Sequence, residues 1–135
     1  MTIALWCLLV AVLLPYVFTT IAKVLMVRAT GHLDNHDPRA FLAQAEGAAK
    51  RAHNSQLNAF EALPGVVAGV LTATIVGVDQ GTLDALAIAW VVLRILHGVC
   101  YITNRPTLRT LVWGCALGCV VAMFGLAAAA GGAVG

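Results

Sequence analysis

The chain has 135 residues, of which 61% are hydrophobic and only 10% charged, and its formal net charge is +2. A water-soluble domain carries about a quarter of its residues as charged side chains, so this composition, with a mean hydropathy of +0.91, excludes an ordinary soluble enzyme and points to a membrane protein. The charge is too small to make nucleic acid a partner; where the charges fall carries more information than their sum.

A membrane-spanning helix needs about 20 mostly apolar residues. IALWCLLVAVLLPYVFTTIA supplies the first before Lys23, giving a span over about 3–27 that Pro15 kinks. It reads as a permanent span rather than a cleaved leader. No basic residue precedes it, its apolar run is long, and no small-x-small site ends it. The following loop, GHLDNHD, holds His32, Asp34, His36 and Asp37, and is read as an ordinary polar loop rather than a metal site. Asp37 then Pro38 is a helix start, an N-cap followed by proline at the first helical position. With no breaker recognised before Pro64, the second helix is expected to run unbroken from about 38 and enter the membrane as a span over about 57–78, with a kink at Pro64.

Asp79 and Asp84 lie in the next connection, and the third span follows over about 83–104, interrupted only by Arg94. The fourth, about 108–131, carries no charge after Arg109 and has a ridge of small residues, Gly114, Gly118 and Ala122, suited to close helix contact. The four cysteines, Cys7, Cys100, Cys115 and Cys119, all fall in apolar runs and act as small hydrophobes; no metal site is assigned. The expected architecture is an all-α integral membrane four-helix bundle forming a single domain over 1–135. Lys23, Arg28, Arg39, Lys50 and Arg51 flank the first connection, and Arg105 and Arg109 the third. The positive-inside rule then places those connections in the cytoplasm and both termini on the other side.

Residues three, four and seven apart share a helix face. Arg51, Asn54, Asn58 and Glu61 fall within an arc of roughly 80°, and the arc continues through the small residues Gly65, Ala68 and Thr72. Trp90, Arg94, His97, Tyr101 and Asn104 form a second stripe on span three. At about 1.5 Å of rise per residue, Glu61 is level with His97 and Tyr101 and within reach of Arg94. A charge at mid-membrane must face protein or a water-filled cavity. Two uses fit the stripes. One is a Glu61–Arg94 ion pair that fixes helix register. The other is a pocket open to the cytoplasm for a small polar ligand, lined by Arg51, Asn54, Asn58, Glu61, Arg94, His97 and Tyr101.

The segment RAHNSQLNAFEALP, from Arg51 to Pro64, and RILHGVCY, from Arg94 to Tyr101, resemble the motifs of spans two and three in the membrane-associated proteins in eicosanoid and glutathione metabolism, the MAPEG family. The wording resembles the bacterial branch most. The resemblance covers essentially the whole chain. It implies a homotrimer in the bacterial inner membrane, contacting membrane lipids, with glutathione as co-substrate held between subunits. Carried over by position, Asn58 and Glu61 match the glutathione-holding pair and Arg51 a basic position upstream. Arg94, His97 and Tyr101 match positions that shape the cavity or touch glutathione. Arg109, followed by Thr110, resembles the Arg-Ser placed near the thiol, with Tyr101 as a hydrogen-bond donor beside it and Arg105 as the alternative. One departure is Asn54, where glutathione-using members usually carry a second arginine.

The resemblance therefore implies a glutathione-dependent transferase or peroxidase acting on lipophilic electrophiles, with Arg109 and Tyr101 catalytic. The alternative is a non-catalytic membrane protein of the same fold, an accessory subunit or a binder of small anions. The two differ in their need for a thiol-activating arginine.

Overall fold

The computed structural model describes residues 1–131. Residues 132–135, the tail of the domain read over 1–135, lie outside the described residues. The chain forms α1 (Ile3–Thr30), α2 (Pro38–Ala43), α3 (Gly47–Ile75), α4 (Gln80–Ile102) and α5 (Pro106–Gly131). The four long helices are each apolar enough to cross a membrane, and no strand occurs among the described residues. The all-α four-helix architecture read from the hydropathy pattern is the architecture observed.

Local chemistry sets the ends. Thr2 caps α1 by accepting from the Leu5 amide, and α1 closes at Gly31, whose φ of 77° lets its amide reach the Val27 carbonyl. Asp79 caps α4, and the Thr82 amide and hydroxyl that donate to it hold its carboxyl below the usual range. The turn into α5 needs Asn104 in the left-handed region, at φ 58°, before Pro106 opens the last helix.

The second helix departs from expectation. Asp37 does accept from the Ala40 amide, but the helix it caps ends at Ala43, and a new helix starts at Gly47. The cause is packing that the local pattern does not display. Breaking the helix swings Phe41 and Leu42 onto Ala22 and Met26 of α1 and Ala49 of α3, where both are 5% exposed. Gly47 takes a φ of 54° there, in the left-handed region that glycine adopts without penalty. Pro64 ends nothing, and α3 runs on as helix through it to Ile75.

α3 and α4 form the central pair. α1 packs against both from one side and α5 against both from the other, and α1 and α5 do not touch among the described residues. The main core joins Ala4 and Ala11 of α1, Val66, Val70 and Ala73 of α3, Leu83, Ala87 and Trp90 of α4, and Ala116, Val120 and Met123 of α5. α3 approaches α5 along Gly65 and Gly69, whose faces meet Val120 and Met123; Ala68, expected on that contact, is exposed. The ridge of Gly114 and Gly118 is likewise not the contact inside the bundle. Neither has any atom near where a side chain would project, because α5 turns Val112, Ala116, Val120 and Met123 inward instead.

One glycine sets the height of α4. A Cβ on Gly98 would run into the ring of Phe18 on α1, so the ring seats on bare backbone one residue beyond His97. That contact holds Arg94 and His97 opposite Asn58. Gly98→Ala forces the buried ring out of its seat and is expected to cost about 1–3 kcal/mol. Thermal unfolding in detergent should show it, whereas Gly118→Ala, in open space, should leave the midpoint nearly unchanged.

Candidate functional site

The site is built around Arg94, the largest of the fully buried side chains, at 2% exposure. An isolated guanidinium cannot stay charged in an apolar interior without acceptors. Asn58 of α3 supplies two. Arg94 Nη2 donates to the Asn58 carbonyl at 3.0 Å and to its side-chain Oδ1 at 2.9 Å. The same amide then donates from Nδ2 to Glu61 Oε2 at 3.3 Å. The order of the relay fixes the amide's orientation, since the flipped group would point NH2 at a guanidinium. Asn58 thus stands between the two charges where a direct Glu61–Arg94 contact was one expectation. Arg94 Nε has no partner, and the guanidinium carbon lies 5.9 Å from the Trp90 ring.

One turn further along α4, His97 (3% exposed) and Tyr101 meet edge to face at 5.6 Å. Arg109 reaches across from α5 and lies over the Tyr101 ring, 4.5 Å from its centroid, well within cation–π range. These groups line a polar cavity of about 240 Å³ with Asn58, Thr110 and Trp113. Arg105, the alternative thiol partner, is exposed in the connection before α5 and does not line this cavity.

Beside the polar cavity runs a cleft of about 260 Å³ between α3, α4 and α5. Asn58, Glu61 and Arg94 sit at its polar end, and Gly65, Trp90 and Val120 are among its apolar lining. Glu61 is exposed on the outside of the single chain, although it lies within an apolar helix. A carboxylate at that depth requires a cover, either polar ligand, water or protein.

Two residues expected in the pocket are elsewhere. Arg51 Nε donates to the Ile102 carbonyl at 3.0 Å, satisfying an end carbonyl of α4 where a cation is favoured. Asn54 is half-buried and lines neither cavity. In the other direction, Trp113 lines both cavities and was not singled out from the sequence. Its signal was present: it lies four residues after Arg109, one turn along the same face. The loop His32, Asp34, His36 and Asp37 is occupied with local structure, Asp34 accepting from the His36 amide and Asp37 capping α2. No group of three or more His, Cys, Asp or Glu side chains that could hold a metal occurs among the described residues.

The arrangement can hold an anionic or zwitterionic small molecule. Arg94 and Arg109 offer positive charge, Glu61 offers a carboxylate for an amine, and an apolar cleft adjoins them. The class defined by fold and site is a four-span helical membrane protein with a charged cavity between spans two, three and four. The MAPEG family model matches residues 3–129, and the chain belongs to that family. No curated protein and no solved structure matches it.

Asn58 is the acceptor on which Arg94 depends. Asn58→Ala keeps the backbone acceptor but removes the side-chain one, and is expected to lower stability in detergent by about 1.5–3 kcal/mol, the range for a hydrogen bond to a charged group. Replacing both partners, Asn58→Leu with Arg94→Met, should recover part of that loss in a double-mutant cycle.

Proposed function

We propose that the protein is a glutathione-dependent transferase or peroxidase that acts on lipophilic electrophiles. Members of its family include glutathione transferases and peroxidases and generally use glutathione. The observation that carries the proposal is the position of Arg109, whose guanidinium is stacked on Tyr101 at the wall of a cavity that His97 and Asn58 also line. A thiol with a pKa near 8.5 is mostly protonated at neutral pH, and a cation beside the sulfur favours the thiolate. A guanidinium already held by an aromatic ring needs little reorganisation to do this.

In this scheme the glutathione α-amino group meets Glu61 and its carboxylates meet Arg94 and the cytoplasmic end of the site, while the sulfur lies toward Arg109 and Tyr101. The thiol proton leaves to water and the thiolate attacks the electrophilic carbon of the acceptor. The carbon–sulfur bond forms as a halide departs, or as an epoxide carbon–oxygen bond opens to an alkoxide that Tyr101 or water protonates. Acceptors of low polarity enter from the lipid.

The uncovered Glu61 and the outward ridge of Gly114 and Gly118 support assembly as a homotrimer, in which a second copy covers them. The basic connections support an orientation with both termini outside the cytoplasm; the bacterial inner membrane is proposed from the wording of the span-two motif alone. One observation favours the non-catalytic alternative. Asn58 is already spent on Arg94 and Glu61, so this part of the motif is explained by structure alone. That explanation does not extend to Arg109, whose side chain stacks on Tyr101 and makes no side-chain hydrogen bond among the described residues.

Arg109→Met is expected to reduce conjugation of an aryl halide by about 10²–10³-fold, the range for losing one preorganised charge-stabilising group, while glutathione binding changes only a few-fold. Arg105→Met should leave conjugation close to wild type. Steady-state kinetics beside calorimetric glutathione binding checks both.

A further inference from the structure

His97 is the buried titratable group to which the scheme above gives no task. It is 3% exposed, lines the polar cavity and has one nitrogen, Nδ1, enclosed with no partner. Three residues before it, on the same face of α4, Arg94 has its Nε enclosed with no partner as well. The two orphans are of complementary kinds. Arg94 Nε carries a hydrogen and needs an acceptor. Imidazole Nδ1 can accept from it, directly or through a water, only if that nitrogen bears a lone pair. A hydrogen on Nδ1 would instead leave two buried N–H groups unmatched, which protein interiors seldom tolerate.

The charges around the ring point the same way. An imidazolium would add a third positive charge to those of Arg94 on α4 and Arg109 on α5, and no carboxylate lines the cavity to offset it. Tyr101 meets the ring edge to face. From α3 comes Asn58, whose amide is engaged by Arg94 and Glu61, and Glu61 itself lines the cleft and not this cavity. From α1 comes the Phe18 ring, seated on Gly98.

We propose that His97 stays neutral with its hydrogen on Nε2 and is a catalytic hydrogen-bond donor, which together with Arg109 and the Tyr101 hydroxyl holds the ligand's sulfur as a thiolate. This rests on the glutathione reading above and adds to it a residue and a role. The cavity wall then holds donors and no base. The Thr110 hydroxyl already donates to the Pro106 carbonyl, and Trp113 offers only an indole N–H. The S–H bond breaks with its electron pair left on sulfur, and its proton goes to solvent rather than to His97.

Two substitutions separate the ring's nitrogens. His97→Gln sets an amide nitrogen near the place of Nε2 and keeps the donor. His97→Asn, being shorter, reaches only the place of Nδ1 and keeps an acceptor for Arg94. Glutathione binding to the full-length protein in detergent is followed by calorimetry across pH, and the bound thiolate by its ultraviolet absorbance. The Asn variant should raise the pH at which the bound thiol ionises by about one pH unit, the tenfold scale of a hydrogen bond to a charged group. The Gln variant should stay near wild type. Calorimetry in buffers of different ionisation enthalpy should show the wild type releasing the thiol proton. A proton kept by the protein, or an ionisation that neither variant moves, overturns the role. If neither variant folds, nitrogen NMR of ligand-free protein with His32, His36 and His53 replaced by Gln decides it. His97 should then show a hydrogen on Nε2 and none on Nδ1, and a hydrogen on Nδ1 overturns the proposal. A wild type that binds no glutathione overturns the glutathione reading and the thiolate role with it; binding whose ionisation is indifferent to His97 overturns the role alone.

Discussion

A guanidinium buried in the middle of a membrane helix cannot be left without acceptors. Arg94 meets that requirement through one residue, Asn58, whose carbonyl and side chain both accept from it. Much of the bundle's arrangement serves this contact. The Phe18 ring on Gly98 fixes the height of α4 against α1, the Gly65–Gly69 face lets α5 close against α3, and the Arg51 bond to the Ile102 carbonyl ties α3 to the C-terminal end of α4. At the opposite end Asp84 accepts from the Ala4 amide at 2.7 Å and from Gln80, anchoring the first turn of α1 on α4. These ties set the register at which the Arg94–Asn58–Glu61 relay forms.

The spans were legible because each is a long apolar run bounded by charges or turn residues, and hydropathy reads that pattern directly. The facing of the two polar stripes was legible too, since residues at three- and four-residue spacing must share a side. What the pattern could not show is how each group spends its hydrogen bonds. Arg51 lies on the same arc as Asn58, yet a free carbonyl at the end of α4 draws it away from the pocket. Glu61 and Arg94 looked like partners by depth, and the intervening amide takes both contacts. The break before Gly47 was missed for a related reason. It is driven by burial of Phe41 and Leu42 against α1, a tertiary gain that no local periodicity records.

Helix α5 shows the limit most plainly. Its small-residue ridge resembles an intramolecular contact surface, but within one chain Gly114 and Gly118 face open space while the larger Val120 and Met123 pack inward. Small residues on an outward face and a carboxylate exposed at membrane depth, Glu61, are features that one copy of the chain leaves unfinished. Both are accounted for if the site is completed by ligand and by neighbouring copies, which joins the assembly proposal to the chemical one: Glu61, which needs covering, also lines the cleft.

Glutathione binding to the purified protein in detergent, followed by calorimetry with the Glu61→Gln variant in parallel, bears most directly on the central claim. Among the described residues Glu61 makes one hydrogen bond, at 3.3 Å, so the variant should fold as the wild type does. Saturable binding by the wild type that weakens at least about tenfold in the variant, as expected for a lost charge-assisted contact, is the result that follows from a ligand pocket at the Asn58–Glu61 face. A folded wild type that binds no glutathione up to tens of millimolar, or one whose binding is indifferent to Glu61, would contradict it and leave the relay a device of structure alone.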